Sequence, residues 1–310
     1  MAKNKPETLE ARGLTRQALL HKARKADYDE FYTKYEDVEK ELNMYSKSIW
    51  KNKVVFCNCA DAVGNDKLST SPFSLYFFRN FRTLGLKKLI CTYYAGKVGE
   101  FNQGAKGYIF TKTGYSDIGT KEYPKDYTGS FDHPLSLKIL REEADVVCTN
   151  PPFSRAIDYW KILIESGKRF IIISNISNVV TLAFVPYFKE GKVWAGYNRV
   201  DWYLTPKREL TEAAGHWYTN IPINNRPKYK NLKLIPLSNI PTKYMKYDDS
   251  KTLIVNNGYI PSDYKKPFAV SARPVLNGLL EKGYVLVEDK VYYPCINGKN
   301  CFARVLVKKI

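Results

Sequence analysis

The stretch DVVCTNPPF, residues 145–153, decides how this chain folds. Its first five residues form a short, mostly apolar run, which predicts a buried β-strand. Two prolines follow almost at once, and because proline donates no backbone hydrogen bond, the strand must end there in a stiff loop. Asn150 therefore lies at the carboxyl end of the predicted strand. In parallel sheets ligands bind beyond that end, so this loop is the first candidate for a functional site.

Short apolar runs alternate with helical stretches on both sides of this segment. Further strands are predicted over residues 54–57, 88–92 and 170–173, and helices over residues 27–50, 73–81, 135–141 and 157–166. Such alternation predicts an α/β fold with a mainly parallel sheet covered on both faces. Residues 96–128, with six glycines, fit neither pattern. Near the C-terminus, Asn297-Gly298 predicts a tight turn within a hairpin over residues 291–307.

The charge balance favours a polyanionic partner. The 310 residues include 49 Lys and Arg against 31 Asp and Glu, a formal net charge of +18. A phosphate backbone attracts such a surface whatever its sequence, although a merely soluble, lysine-rich surface is the alternative interpretation. Residues 1–25 carry seven of the basic residues, and this composition predicts a mobile basic arm.

Several classes of protein are not expected. No apolar run is long enough to span a bilayer, and the first 20 residues lack the apolar core of a secretory signal, so a cytoplasmic protein is predicted. The six cysteines include no C-x-x-C pair, and no histidine lies close to them in sequence. Neither a disulfide framework nor a metal site is therefore expected.

The Asn-Pro-Pro-Phe loop suits chemistry on a planar amine. The Asn150 side-chain oxygen and the Pro151 carbonyl are two acceptors for the two N–H groups of a nucleobase amine. They would draw its nitrogen towards tetrahedral geometry as a methyl group arrives. Pro151 and Pro152 stiffen the loop, and Phe153 is suited to stack on a base taken out of a duplex. The alternative is a plain strand and turn, with Phe153 as a core residue.

Six segments in chain order carry a family resemblance, at residues 29–33, 54–59, 145–154, 217–221, 260–264 and 296–306. They resemble the EcoRI-type adenine-specific DNA methyltransferases, within the amino methyltransferases that share an (Asp/Asn/Ser)-Pro-Pro-(Tyr/Phe) motif. The resemblance implies a Rossmann-like, S-adenosylmethionine-dependent methyltransferase sheet with a smaller C-terminal target-recognition region. It also implies methylation of adenine N6 in double-stranded DNA by a bacterial or phage-encoded monomer, as part of a restriction-modification system.

The resemblance assigns roles to individual residues. The catalytic loop it implies consists of Asn150, Pro151, Pro152 and Phe153. The cofactor-binding residues it implies are Phe31, Tyr32 and Thr33 beside the methionine end, Cys57, Asn58, Cys59 and Asp61 after the first strand, and Ser130 and Phe131 beside the adenine ring. The chain departs from the broader pattern in three places: no glycine precedes Gly64 in the first loop, no carboxylate follows the second strand, and Ser130 stands where an aspartate is expected.

The predicted organisation combines this resemblance with the loss of helical pattern after Trp194. Residues 1–50 form the basic arm and a cofactor-side helix, residues 51–222 the catalytic domain, and residues 223–310 the DNA target-recognition region. The alternatives are methylation of RNA adenine or of a protein glutamine, and a catalytically silent DNA-binding relative. Residues 175–178 either line the same cleft or begin a helix capped by Ser174 or Asn175.

Overall fold

The structure, a computed structural model, describes residues 32–59, 71–92, 127–204, 209–223, 232–256 and 258–310, and the backbone alone of residues 106–111 and 119–122. The chain separates into two compact units, residues 1–168 with 198–215, and residues 169–197 with 216–310. The predicted domain boundaries at residues 50 and 222 stay predictions. Within the described ranges, every helix is too short or too polar to cross a lipid bilayer.

Three parallel strands form the centre of the first unit. Strand β1 (Val54–Cys57) pairs in parallel with β2 (Lys88–Cys91) on one side and with β5 (Val146–Thr149) on the other. On the far side of β2, strands β3 (Lys106–Thr111) and β4 (Gly119–Glu122) continue the sheet in antiparallel directions. The carboxyl ends of β2, β1 and β5 therefore lie at one edge. Strand β1 is completely buried, as expected for a central parallel strand.

Helices accompany these strands. They are α1 (Tyr35–Leu42), α2 (Pro72–Arg79), α3 (Phe81–Leu84), α4 (Pro134–Lys138) and α5 (Ala156–Glu165). Helix α2 begins where its sequence predicts, because the Ser71 side chain accepts a hydrogen bond from Phe73 N and a proline occupies the first turn. Helices and parallel strands together confirm the predicted mixed α/β fold.

The predicted helix over residues 27–50 is wrong at both described ends, because helix α1 already ends at Leu42 and only a short 3₁₀ turn, Lys47–Ile49, follows it. Helix α1 starts only at Tyr35, and Lys34 before it is extended, with ψ 149°. Tyr32 forms an antiparallel bridge with Leu204, with two backbone hydrogen bonds of 2.8 Å. This long-range pairing overrides the helical periodicity of the segment. Residues 27–31 lie outside the described residues.

The second unit contains the remaining strands. Strand β6 (Arg169–Asn175) lies in it. Strands β7 (Trp194–Leu204) and β8 (Leu210–Thr219) are shared between the units, because their parts within residues 198–215 belong to the first unit. The smaller strands are β9 (Lys233–Ile235), β10 (Met245–Tyr247), β11 (Leu253–Val255), β12 (Tyr259–Pro261), β13 (Phe268–Val270), β14 (Tyr284–Leu286), β15 (Cys295–Ile296), β16 (Lys299–Asn300) and β17 (Val305–Lys309). Helices α6 (Val185–Lys189) and α7 (Ala272–Leu276) complete the unit.

A five-stranded sheet with the order β10-β11-β13-β17-β14 organises the C-terminal part. Strands β15 and β16 form a separate hairpin, in which Asn297 and Gly298 have φ angles of 51° and 71°. These positive angles confirm the predicted tight turn. The hairpin is shorter than predicted, because β17 leaves it and pairs with β13 and β14.

A buried carboxylate fastens α1 to β7. Glu41 is 0% exposed, and its carboxylate accepts hydrogen bonds from the Asn198 backbone N and Nδ2, both at 2.8 Å, and from the Tyr45 hydroxyl at 3.0 Å. Three donors compensate for much of the cost of burying this polar group. The contact holds the middle of β7 against α1.

We expect Glu41→Ala to destabilise the fold by about 2 kcal/mol, because the amide donors of Asn198 lose their acceptor in a buried place. Urea denaturation followed by circular dichroism measures this change. Glu36→Ala, at an exposed position of the same helix, is the matched control and leaves the midpoint within experimental error. Equal midpoints for both variants would show that Glu41 does not hold the two elements together.

Candidate active site

The Asn-Pro-Pro-Phe loop leaves β5 at its carboxyl end, as predicted. Asn150 is half-buried and Pro151 is buried. Pro152 has φ −60° and ψ 127°, and residues Phe153–Arg155 form a 3₁₀ turn in which Arg155 N donates to the Pro152 carbonyl at 3.2 Å. Two fixed proline φ angles and this turn hold the loop in one conformation. Phe153 retains partial exposure at the start of the turn.

Hydrogen bonds join the end of β5 and helix α5, on either side of the Asn-Pro-Pro-Phe loop, to the loop that follows β1. The Thr149 hydroxyl donates to the Asn58 carbonyl, and the Tyr159 hydroxyl of α5 donates to Asn58 Oδ1 at 2.6 Å. Burial raises the pKa of the Tyr159 phenol well above its ordinary value, so the phenol keeps the proton that it donates. Asn58, which is predicted to bind the cofactor, therefore lies next to the strand and the helix that flank the Asn-Pro-Pro-Phe loop.

Cys59 explains how the first loop turns without glycine. Its φ angle is 59°, in the left-handed region that side chains other than glycine and asparagine rarely adopt. The turn follows Cys57, the last residue of β1, and the buried Asn58. The chain thus makes at Cys59 the sharp bend for which the broader family pattern uses a glycine.

Phe131 is enclosed by neighbouring side chains. The ring is 4% exposed, the Arg155 guanidinium lies 4.5 Å from its centroid, and the Tyr159 ring meets it edge to face at 5.0 Å. Arg155 also pairs with Asp132 at 2.8 Å, and this contact lowers the pKa of the Asp132 carboxyl. One face of Phe131 is therefore occupied, and a ligand ring would contact the remaining face or edge.

Ser130 belongs to the same cluster. Its hydroxyl donates to Asp132, and its carbonyl accepts a hydrogen bond of 2.6 Å from the Ser136 hydroxyl. The carboxylate that the family pattern expects at position 130 is absent, but that of Asp132 lies within hydrogen-bonding distance of Ser130. A sequence pattern fixed to position 130 does not detect this neighbour.

Thr33 carries a buried hydroxyl suited to a ligand. The residue is 2% exposed, and its Oγ1 has no hydrogen-bond partner within the described part of the chain. It follows Tyr32, which is anchored to Leu204 at the end of β7. Phe31 and Asp61, also predicted to bind the cofactor, lie outside the described residues.

Two residues that support Phe153, Tyr203 and Gly215, were not expected from the sequence. The Tyr203 ring is fully buried and meets Phe153 edge to face, with centroids 5.8 Å apart and planes at 85°. A Cβ atom added to Gly215 would lie 1.7 Å from the Tyr203 hydroxyl oxygen and 3.2 Å from the Val200 carbonyl. Glycine at 215 therefore makes room for the ring that supports Phe153. No local motif marks either residue.

We expect Gly215→Ala to reduce activity about ten- to a hundredfold, because Tyr203 must move and Phe153 loses its support. Adding Tyr203→Phe removes the hydroxyl nearest to the new methyl group and should restore part of the activity. Single-turnover assays of the two single variants and the double variant give the coupling between the positions. Strictly additive losses would mean that Gly215 does not act through Tyr203.

Asn175 is a helix cap in the second unit. Its side chain accepts a hydrogen bond of 2.8 Å from Ser177 N at the start of the 3₁₀ helix Ile176–Val180. This confirms the capping interpretation with Asn175, rather than Ser174, as the cap. Within the ranges that the structure describes, no group of three His, Cys, Asp or Glu side chains is arranged to hold a metal ion.

Comparison with known proteins identifies the family. Residues 19–275 match the family described as adenine-specific methyltransferase EcoRI. The chain belongs to this family. The match covers the catalytic loop, and it confirms the resemblance inferred from the sequence.

Named relatives of this EcoRI-type methyltransferase are similar over most of its length. It is 33% identical to the type II methyltransferase M.EcoRI of Escherichia coli, over 94% of this chain and 96% of that protein. It is 29% identical to the type II methyltransferase M.MpnI of Mycoplasma pneumoniae, over 79% of this chain and 77% of the relative. No solved structure matches the chain significantly.

Proposed function

We propose that this protein is a type II modification enzyme that transfers a methyl group from S-adenosylmethionine to adenine N6 in double-stranded DNA. The observation that carries the proposal is the position of the Asn-Pro-Pro-Phe loop at the end of β5, where Thr149 and Tyr159 on either side of it are hydrogen-bonded to Asn58 after β1. Family membership identifies the enzyme class, an adenine-specific DNA methyltransferase. The cofactor, the duplex substrate, the monomeric state and the Rossmann-like arrangement are parts of the proposal.

The residues around the loop fit this cofactor. A sharp turn at Cys59, a fixed Asn58 and the buried Thr33 hydroxyl provide a bend and a polar contact of the kind that an amino-acid-bearing ligand needs. Cys57 is the last residue of β1, two positions before the bend at Cys59. Tyr32 directly precedes Thr33 in the chain. When bound, S-adenosylmethionine supplies an electrophilic methyl group on a positively charged sulfur.

The chain itself positions the amine. An exocyclic adenine amine is a weak nucleophile because its lone pair is delocalised into the ring. Asn150 Oδ1 and the Pro151 carbonyl accept its two N–H groups and favour the tetrahedral nitrogen that carries the lone pair. No separate general base is needed for the attack, and the amine releases one proton after the transfer. These acceptors stabilise the transition state more than the ground state, which is what raises the rate.

Phe153 holds the base for this reaction. A base flipped out of a duplex loses its stacking partners, and an aromatic ring beside the pocket replaces part of that contact. Tyr203 packs edge to face against Phe153 and so supports the ring. The role of Phe131 and Ser130 beside the adenine of the cofactor is proposed on the same basis, with Arg155 covering one face of Phe131.

Expressing the protein in a bacterial host that lacks adenine methylation, and sequencing the host DNA with a long-read method, tests the proposal. We expect N6-methyladenine within one short sequence context, and none in cells that carry the empty vector. The context itself depends on contacts with base edges. Unmodified adenine in cells that contain soluble, folded protein would contradict the proposed function.

A further inference from the structure

A cavity in the C-terminal part of the second unit lies outside the methyltransferase site. Its volume is about 430 Å³, and it is lined by Lys246 of β10, Ile254 of β11, and residues on both sides of the β15–β16 hairpin, among them Pro294, Asn300, Phe302 and Arg304. The floor is apolar, because Ile254 and Pro294 are buried. The charged and polar residues, by contrast, are at least partly exposed.

Two cations line this cavity. Lys246 is exposed, and Arg304 is partly buried with Nη2 donating to Asn256 Oδ1 at 2.8 Å. Arg304 Nε is buried and has no hydrogen-bond partner among the described residues. Burial lowers the pKa of Arg304, but a guanidinium keeps its charge at neutral pH. The hydrogen bond to Asn256 fixes the guanidinium in place without neutralising it.

The nearby carboxylates are used elsewhere. Asp249 accepts hydrogen bonds from the backbone N of Asn297 and of Gly298, at 2.8 and 2.9 Å, and so holds the hairpin turn. Asp248 accepts from Tyr292 and from the Thr252 backbone N. Neither aspartate lines the cavity. Residues 232–310 contain thirteen Lys and Arg against six Asp and Glu, so the surrounding segment is also positive.

Aromatic rings are exposed in the same part of the chain. Phe302, on the cavity rim, is 82% exposed, and Tyr247 and Tyr293, which neighbour lining residues in sequence, are 53% and 59% exposed. An apolar ring left in water has a cost that an apolar contact removes. Cations, an amide at Asn300 and an exposed ring together match the phosphates and the groove-facing base edges of a duplex.

We propose that this cavity is a DNA-docking site, in which Lys246 and Arg304 contact backbone phosphates and Phe302 makes an apolar contact with a base edge in a groove. The inference rests on the proposed function in one respect, that the substrate is DNA. It adds a particular surface, separate from the catalytic loop, by which the C-terminal region holds the duplex. Charge complementarity favours DNA as the occupant. A protein without acidic residues and a neutral lipid surface both lack the negative charge that these cations would bind.

Two exposed residues give a test that does not disturb the fold. Lys246→Gln should weaken binding of a duplex oligonucleotide about five- to tenfold and reduce the slope of log Kd against log salt by roughly one. Phe302→Ala should weaken binding about tenfold and leave that slope unchanged, because it removes an apolar contact with a base edge and no phosphate contact. Arg304 is left unchanged in this test, because its hydrogen bond to Asn256 also ties the segment after β16 to the end of β11.

Matched controls lie at the opposite edge of the sheet or at the terminus. Lys282→Gln removes one exposed charge next to β14, and Ile310→Ala removes an exposed apolar side chain. Fluorescence anisotropy with the full-length protein measures Kd, and thermal melting confirms the fold of each variant. The proposal is overturned if Lys246→Gln and Phe302→Ala bind DNA no more weakly than their controls while the wild type methylates it. A wild type that does not methylate DNA would instead refute the proposed function.

Discussion

Replacing Asn150 with Ala should slow methyl transfer by roughly a hundredfold or more, with cofactor and DNA binding little changed. The substitution removes an acceptor whose hydrogen bond strengthens as the amine becomes tetrahedral, so its loss acts on the transition state. A single-turnover assay with radiolabelled S-adenosylmethionine and saturating DNA measures this step alone.

Asn150→Asp is the matched control, because it keeps an acceptor oxygen at the same position. We expect it to retain more activity than Asn150→Ala, in keeping with the Asp-Pro-Pro variant of the motif. A normal single-turnover rate for Asn150→Ala would mean that the loop is only a strand followed by a Pro-Pro turn. The same outcome would also contradict the role proposed for the Pro151 carbonyl as the second acceptor of the amine.

Replacing Phe153 with Ala should weaken the hold on the flipped base by about 1 to 3 kcal/mol, the usual value of one base–aromatic stack. A 2-aminopurine at the target position reports this directly, because its fluorescence rises when the base leaves the stack. We expect a smaller rise with Phe153→Ala than with the wild type, at saturating protein.

Phe153 also contacts Tyr203, so the variant must be shown to fold. Phe153→Tyr keeps the ring and the edge-to-face contact, and it should retain most of the fluorescence rise. If Phe153→Ala loses activity only in proportion to its loss of folded protein, the ring is a core residue. That outcome would favour the structural interpretation of the loop over a stacking role.

The strands and the catalytic loop could be predicted because their signals are local. Strand β5 and Asn150-Pro151 follow from a short apolar run and two prolines, and the Asn297-Gly298 turn follows from the positive φ angles that this pair accepts. The helix start at Tyr35 could not be predicted in this way. It depends on a bridge between Tyr32 and Leu204, 172 positions apart in the chain.

The supporting residues of the site escape prediction for the same reason. Thr149 and Asn58 are 91 residues apart, and only folding brings their hydrogen bond about. Gly215 has no turn or cap to mark it, since its role is to leave space for Tyr203. Local patterns thus identified the chemistry, while the contacts that hold it in position required the structure.

One measurement tests the central claim most directly. Purified protein is incubated with S-adenosylmethionine and duplex DNA, and the DNA is digested to nucleosides for mass spectrometry, with the Asn150→Ala variant in parallel. The account predicts N6-methyladenine with the wild type and at least a hundredfold less with the variant at early times. Methylcytosine as the sole product, or methyl transfer confined to RNA or protein, would contradict it.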